Sequence, residues 1–375
     1  MIKMLFETNL KGHRMEYIHH IYMGMVEHPE DDYVIVVPGD FQQKRNLYNW
    51  PSANHIRFIY MPNLSKYKEE TGAFRQSIRR VRYLRKYVKQ EKVDAVFLNV
   101  LMAYIPAIGL LLPHGVSVSG IIYKIYLYRW KASSWKMRVQ DVIKYLALRY
   151  SPCVKNIFIL NDSPSAVYLN KLYRTDKFKF ITDPYNALDY TPRSVRAELG
   201  LNNDDMLFLH FGGLNRRKGT LDILEAIALL PEEKRRKSVF VFAGKVYEPI
   251  KEEFYSLLHN LPSDSRAIVY DRFCPNEQLA DLCSSSDYIL MPYRSTSQSS
   301  GLLGYAAHFG TPVIGPNEGL IGKLIRKNHL GLQIMSNTPQ NIADAICDAK
   351  PYSLQSDYKN QISIARFQRE IFEHF

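Results

Sequence analysis

The chain has 375 residues, enough for two domains that each bury a core, and carries a formal net charge of +12. Its four cysteines, Cys153, Cys274, Cys283 and Cys347, show neither C-x-x-C nor metal-ligand spacing, which argues against a disulfide framework, a redox pair or a zinc site. The charge is lopsided: residues 1–190 hold 28 Lys and Arg against 16 Asp and Glu, whereas residues 191–375 hold 21 of each.

The N-terminal stretch MIKMLFETNLKGHR lacks the charged, apolar, small-residue plan of a signal peptide and begins as a strand, so the expected location is the cytosol. Gly12, His13 and Arg14 follow that strand and are expected at a ligand cleft. YVIVVPG predicts a second strand. In FRQSIRRVRYLRKYVKQEK, Phe74, Ile78, Val81, Leu84 and Val88 recur at helical spacing while the other faces are basic. Such a helix attracts an anionic partner, either an acidic membrane surface or a phosphate-bearing acceptor. Nucleic acid is not the expected partner, because no zinc-finger spacing, basic zipper or aromatic RNP-like strand accompanies the charge.

The segment from Ala95 to Tyr123 contains no Asp, Glu, Lys or Arg and is long enough to span a bilayer. Pro106, Gly109, Pro113 and Gly115 divide it into a strand (AVFLN), a short helix and a second strand (VSVSGIIY), the pattern of a buried α/β core. YKIYLYRWKASSWKMR then interleaves aromatics with cations, as interfacial segments do.

KNIFILN closes the first run of strands, and a bend rich in Pro, Asn and acids (ITDPYNALDYTPRSVRAELGLNNDD) marks a boundary. The expected domains are 1–190 and 191–350, with a helical tail, 351–375, packing back on the first. MLFLHFGG, SVFVFAG, RAIVYDRF and YILMPY predict the strands of the second domain. Strands alternating with helices imply an α/β fold of two doubly wound parallel sheets, whose ligands sit at the carboxyl ends of the strands. Two stretches there suit an anion. FGGLNRRKG sets Arg216, Arg217 and Lys218 beside a helix start. SQSSGLLGYAAHFGTPVIG sets Ser299 or Ser300 as N-cap of another, with Gly301 and Gly304 leaving its backbone bare.

The order FGGLNRRKG, VFAGK, YDRFCPNEQLADLCSSSDYILMPYR and SSGLLGYAAHFGTPVIG resembles the donor-binding domain of GT-B glycosyltransferases of the GT4 type, over residues 205–335. The resemblance implies two Rossmann-like domains facing each other across a cleft. It implies a UDP- or GDP-sugar donor, a glycan or lipid-linked acceptor, and a cytoplasmic enzyme peripheral to the membrane. It assigns Lys218 and Arg217 to catalysis on the donor diphosphate, and Gly213, Arg216, Ser299, Ser300, Gly301, Leu302 and Leu303 to the diphosphate and sugar. Arg272, Phe273, Cys274 and Tyr305 fall to the base and ribose, and Gly12, His13 and Arg14 to the acceptor side, within reach of the acceptor or the donor phosphates. The family's usual arginine falls where Gly213 stands, and its pair of glutamates falls at Ser297 and Tyr305, so both carboxylates are absent here. With no D-x-D in the chain, the cation cluster is expected to replace a metal.

Overall fold

A computed structural model of the chain describes residues 1–10, 14–62, 73–186, 190–352 and 354–375. It divides into two units, Met1–Asp183 with Ile364–Phe375, and Pro184–Ser363. The expected division at residue 190 is therefore shifted, and the tail is split: residues up to 363 stay with the second unit, and only Ile364–Phe375 returns to the first. Helix Ile364–Phe372 buries Phe367 and Ile371 in the first unit, against helix Arg14–Val26.

The first unit is built on seven parallel strands: β1 Ile2–Phe6, β2 Asp32–Pro38, β3 Ile56–Met61, β4 Ala95–Leu98, β5 Ser117–Ile122, β6 Val154–Leu160 and β7 Phe178–Ile181. Their order is β3-β2-β1-β4-β5-β6-β7. The charge-free segment supplies β4 and β5 at its centre, as its punctuation predicts. Among the described residues no helix is long and apolar enough to cross a membrane. Central strands are covered on both faces, which is why they read as unbroken apolar runs. Met4 and Phe6 face one layer, with Val81, Leu84, Ile108, Leu148 and Leu169 from the covering helices; Leu5 faces the other.

The second unit repeats the plan with six parallel strands: β8 Met206–Phe211, β9 Ser238–Ala243, β10 Arg266–Tyr270, β11 Tyr288–Leu290, β12 Val313–Pro316 and β13 Gly331–Ile334. The order is β10-β9-β8-β11-β12-β13. Chain direction along the sheet reverses between β1 and β4 in one unit and between β8 and β11 in the other. Loops leaving neighbouring strands part there, and an α/β sheet opens a crevice at its carboxyl edge.

Candidate functional site

In the second unit that crevice lies between the loops after β8 and β11. The first loop contains a short 3-10 turn, Arg216–Lys218, closed by Gly219 at φ +75°, which also begins helix Thr220–Leu229. The two loops touch through backbone: the Arg294 N–H donates to the Arg217 carbonyl at 2.9 Å. Gly219 lies so close to Pro292 that a Cβ there would run into the Pro292 carbonyl oxygen.

A buried relay holds the turn in place. His210, inside β8, donates from Nδ1 to the Leu290 carbonyl of β11 at 2.8 Å, and its Nε2 accepts from the Thr220 hydroxyl at 2.9 Å. Thr220 Oγ1 in turn accepts from the Asn215 N–H at 3.0 Å, and Asn215 Oδ1 caps the Lys218 N–H at 3.2 Å. Burial pushes the His210 imidazole down to about 3, so it is neutral and can both donate and accept. The unfolded chain takes up a proton near the ordinary 6.5 and the folded chain does not. The stability this residue contributes is thus complete above pH 6.5 and declines as pH falls toward 3, by about 1.4 kcal/mol per pH unit. Denaturation midpoints measured from pH 7.5 to pH 4.5 should fall, and the fall should be shallower in His210→Gln; parallel curves for the two proteins would contradict this.

The four cations around the turn are treated differently. Arg216 is turned to Glu253, and Arg294 is held by Asp222, whose side chain is buried. Lys218 is 7% exposed and has no carboxylate partner among the described residues; its ammonium donates to the Phe211 carbonyl at 3.0 Å. Gly212, at φ +84°, leaves room for it, since a Cβ there would stand 2.5 Å from Nζ. The Arg217 guanidinium and the Lys218 ammonium lie 5.3 and 5.8 Å from the centroid of the buried Tyr293 ring. A buried cation without an anion is costly, and a negative ligand would offset that cost here.

Tyr293 links the cations to the next helix: its hydroxyl lies 3.2 Å from Ser300 Oγ. The helix runs Leu302–Phe309 with Gly301 as N-cap, so the expected cap at Ser299 or Ser300 is displaced by one or two residues. The Ser300 hydroxyl reaches Tyr293 and only distantly the Leu302 N–H, at 3.4 Å. Gly301 is open, with nothing within 4 Å of a Cβ; Gly304 is not, because the Tyr185 ring fills the space its missing side chain leaves. The helix start presents its positive dipole end at Gly301, where the backbone is open, while the Leu302 and Leu303 N–H groups turn back to the Ser300 hydroxyl and carbonyl at 3.4 and 3.1 Å. Gly213 is covered by Tyr247.

These features coincide with a known sequence pattern. Residues 193–362 match the family model of glycosyl transferases group 1. The second unit is a glycosyl transferases group 1 domain. Over its whole length the chain has the GT-B fold: it resembles the Anabaena protein Alr3699/HepE in complex with UDP (12% identity, 99% of this chain and 98% of that one, TM-score 0.71). It likewise resembles WaaG, a glycosyltransferase involved in lipopolysaccharide biosynthesis (16% identity, 100% and 95%, TM-score 0.65). A putative teichuronic acid biosynthesis glycosyltransferase, TuaC of Bacillus subtilis strain 168, is 26% identical over 162 residues, 43% of this chain and 37% of that protein. The chain spans between 37% and 51% of the length of the curated relatives it matches.

Within the group 1 domain, Arg272, Phe273 and Cys274 form the loop after β10. Cys274 is buried, its thiol 3.7 Å from the Arg272 carbonyl, whereas the Phe273 ring is 84% exposed. Tyr305, at one missing-glutamate position, sets its ring edge-on to Phe211 at 5.2 Å and points its hydroxyl toward Asn276 Oδ1 at 3.5 Å. Ser297, at the other, is buried. Among the described residues no three His, Cys, Asp or Glu side chains gather as metal ligands.

In the first unit, Gly12 and His13 lie outside the described residues. Arg14 begins helix Arg14–Val26 and pairs with Glu7 at 2.9 Å. Glu7, just past β1 and 3% exposed, is a residue the sequence reading missed. Its Oε1 accepts from the Thr8 and Asn9 N–H groups at 2.8 and 3.0 Å, while Oε2 has no partner among the described residues. Burial pushes the carboxyl up, against the pull of Arg14 and the two N–H groups. Asn99, just past β4 and wholly buried, has neither amide atom paired among the described residues. Unpaired polar atoms at a switch point are groups kept for a ligand or ordered water.

Proposed function

We propose that this protein is a retaining glycosyltransferase that moves a sugar from a UDP- or GDP-sugar to a glycan or lipid-linked acceptor, in the synthesis of cell-surface polysaccharide at the inner face of a membrane. The observation that carries the reading is the buried Lys218, with no carboxylate partner among the described residues, beside Arg217, at the switch point of a group 1 domain and next to an open helix start. The UDP complex of HepE and the involvement of WaaG in lipopolysaccharide biosynthesis support the donor class and the setting.

As the anomeric bond of the donor breaks, negative charge grows on the leaving diphosphate. Lys218, Arg217 and the helix start at Gly301 stabilise that charge more in the transition state than in the ground state, which is what accelerates the reaction. No carboxylate stands at Ser297 or Tyr305 to act as nucleophile, so the acceptor hydroxyl passes its proton to the departing phosphate on the same face, and configuration is retained. In the first unit, Glu7 Oε2 and the Asn99 amide suit the hydroxyls of an acceptor sugar.

Thermal-shift titration with UDP, GDP, CMP and their sugars, followed by assay of donor turnover, tests the proposal. A selective shift with turnover is expected. The absence of both carboxylates favours one other reading, a catalytically silent nucleotide-sugar binder, and binding without any turnover would select it. Phe273, exposed where the base is expected, should contribute stacking of about 1 kcal/mol. Phe273→Ala should therefore weaken UDP binding about fivefold in calorimetry and leave inorganic diphosphate binding unchanged. Equal losses for both ligands would remove Phe273 from the base site.

A further inference from the structure

We propose that the first unit docks on an anionic lipid surface by inserting one face of helix Trp135–Tyr150, together with the adjoining helix Ser163–Tyr173. This deepens the peripheral, lipid-linked setting above and rests on it. The location comes from exposure. Trp135, Val139, Ile143, Leu146 and Tyr150 are 70%, 48%, 52%, 39% and 75% exposed. At about 100° per residue they fall within a single stripe about 80° wide. The opposite side of the same helix is spent on the core, where Tyr145 and Leu148 are buried. A helix apolar on two sides is matched to the interior on one and has an unmet apolar surface on the other.

The flanks carry charge of one sign. Lys136 and Lys144 lie to one side of the stripe, Arg138 and Arg149 to the other. The only acid of the helix, Asp141, is buried and paired with Arg129 at 2.6 Å. The neighbouring helix continues the apolar patch with Val167, Tyr168 and Leu172, 67%, 53% and 48% exposed. Arg149 Nε donates to the Tyr173 carbonyl at 2.8 Å, which joins the ends of the two helices and lets them present one surface.

Helix Ala73–Gln90 covers the same face of the sheet, burying Val81 and Leu84 in the same core, and contains no acid. Its outward side is cationic, including Arg75, Arg79, Arg82 and Arg85, with Phe74 as its only exposed large apolar residue. Attraction and insertion thus fall to different helices of one layer: the arginine-rich helix supplies charge, and the Trp135–Tyr150 stripe supplies apolar contact with an aromatic residue at each end. Charge complementarity decides the occupant. A second copy seated face to face would press the same cations together across a two-fold axis, whereas acidic headgroups neutralise them while acyl chains take the stripe.

The test is co-sedimentation of the full chain with vesicles of phosphatidylcholine alone or with one quarter phosphatidylglycerol, for wild type and for the double variant Ile143→Ser, Leu146→Ser. Both side chains are exposed and outside the nucleotide site, so an unchanged Tm and an unchanged shift with UDP show that the variant is folded. Wild type should bind the anionic vesicles, and the variant should bind at least tenfold less. Binding should also weaken between 0.1 and 0.5 M salt. Equal binding by both proteins, equal binding to neutral vesicles, or no binding at all overturns the proposal. So does a wild-type dimer that the double variant abolishes without any vesicle binding. The UDP shift is read independently, so a failed glycosyltransferase reading and a failed docking face give different results.

Discussion

Lys218→Met should lower kcat/KM ten- to several-hundredfold, with the loss in kcat at least as large as the change in KM. The ammonium is buried, and apart from one bond to the Phe211 carbonyl it faces no anion within the described structure. A charged hydrogen bond to the donor diphosphate contributes about 1.5–3 kcal/mol, and more where the leaving group gains charge as the bond breaks. Met keeps most of the stem that packs beside Tyr293, so the loss reports charge rather than a cavity. Lys237→Ala provides the comparison: that side chain is exposed on the surface and touches only Glu233, at 4.0 Å. If Lys218→Met and Lys237→Ala leave the same activity, the turn at Arg216–Lys218 has no part in the reaction.

Gly219→Ala should be strongly damaging, to the fold and to the site together. Its φ of +75° costs an L-residue about 1–2 kcal/mol. A Cβ there collides with the Pro292 carbonyl, a backbone atom that cannot rotate away, and overpacking of this kind costs about 1–3 kcal/mol more. The strain falls where the loops after β8 and β11 meet, at the Arg294-to-Arg217 hydrogen bond, so donor affinity should drop together with Tm. Gly200→Ala isolates the steric part, because Gly200 has φ +68° but open space around its missing side chain. Gly200→Ala should lose only the backbone portion and keep donor binding. Equal effects at the two glycines would mean that the contact with Pro292 does not position the site.

Strands such as YVIVVPG and SVFVFAG could be read from the chain because a parallel strand covered on both faces must be apolar throughout. β3, β7, β12 and β13 were not read. β7 and β13 are four residues each at the outer edges of their sheets, and β12 is hidden inside the GTPVIG motif. The units divide at Asp183, a few residues before the expected 190 but within the same bend rich in Pro, Asn and acids. In the site, RRKG was legible as a phosphate-suited turn, but three adjacent cations look alike in a sequence. Only the fold separates them: Arg216 is turned to Glu253, Arg217 lies over the Tyr293 ring, and the buried Lys218 ammonium meets the Phe211 carbonyl. The relay through His210, Thr220 and Asn215 joins residues of β8, a helix start and a loop to the carbonyl of β11. A lone histidine within the apolar run MLFLHF was the one signal that could have found it. Glu7 and Asn99 left no pattern at all, since they are distant in the chain and meet only as neighbours across β1 and β4.

Lys218, Arg217 and the helix start at Gly301 should make the crevice between β8 and β11 a binding site for a nucleoside diphosphate. Calorimetric titration of the wild-type chain with UDP, GDP and the matching monophosphates measures this directly. One diphosphate should bind at least tenfold more tightly than its monophosphate, and added salt should narrow the difference. Equal affinity for diphosphate and monophosphate, or no binding of either, would contradict the account.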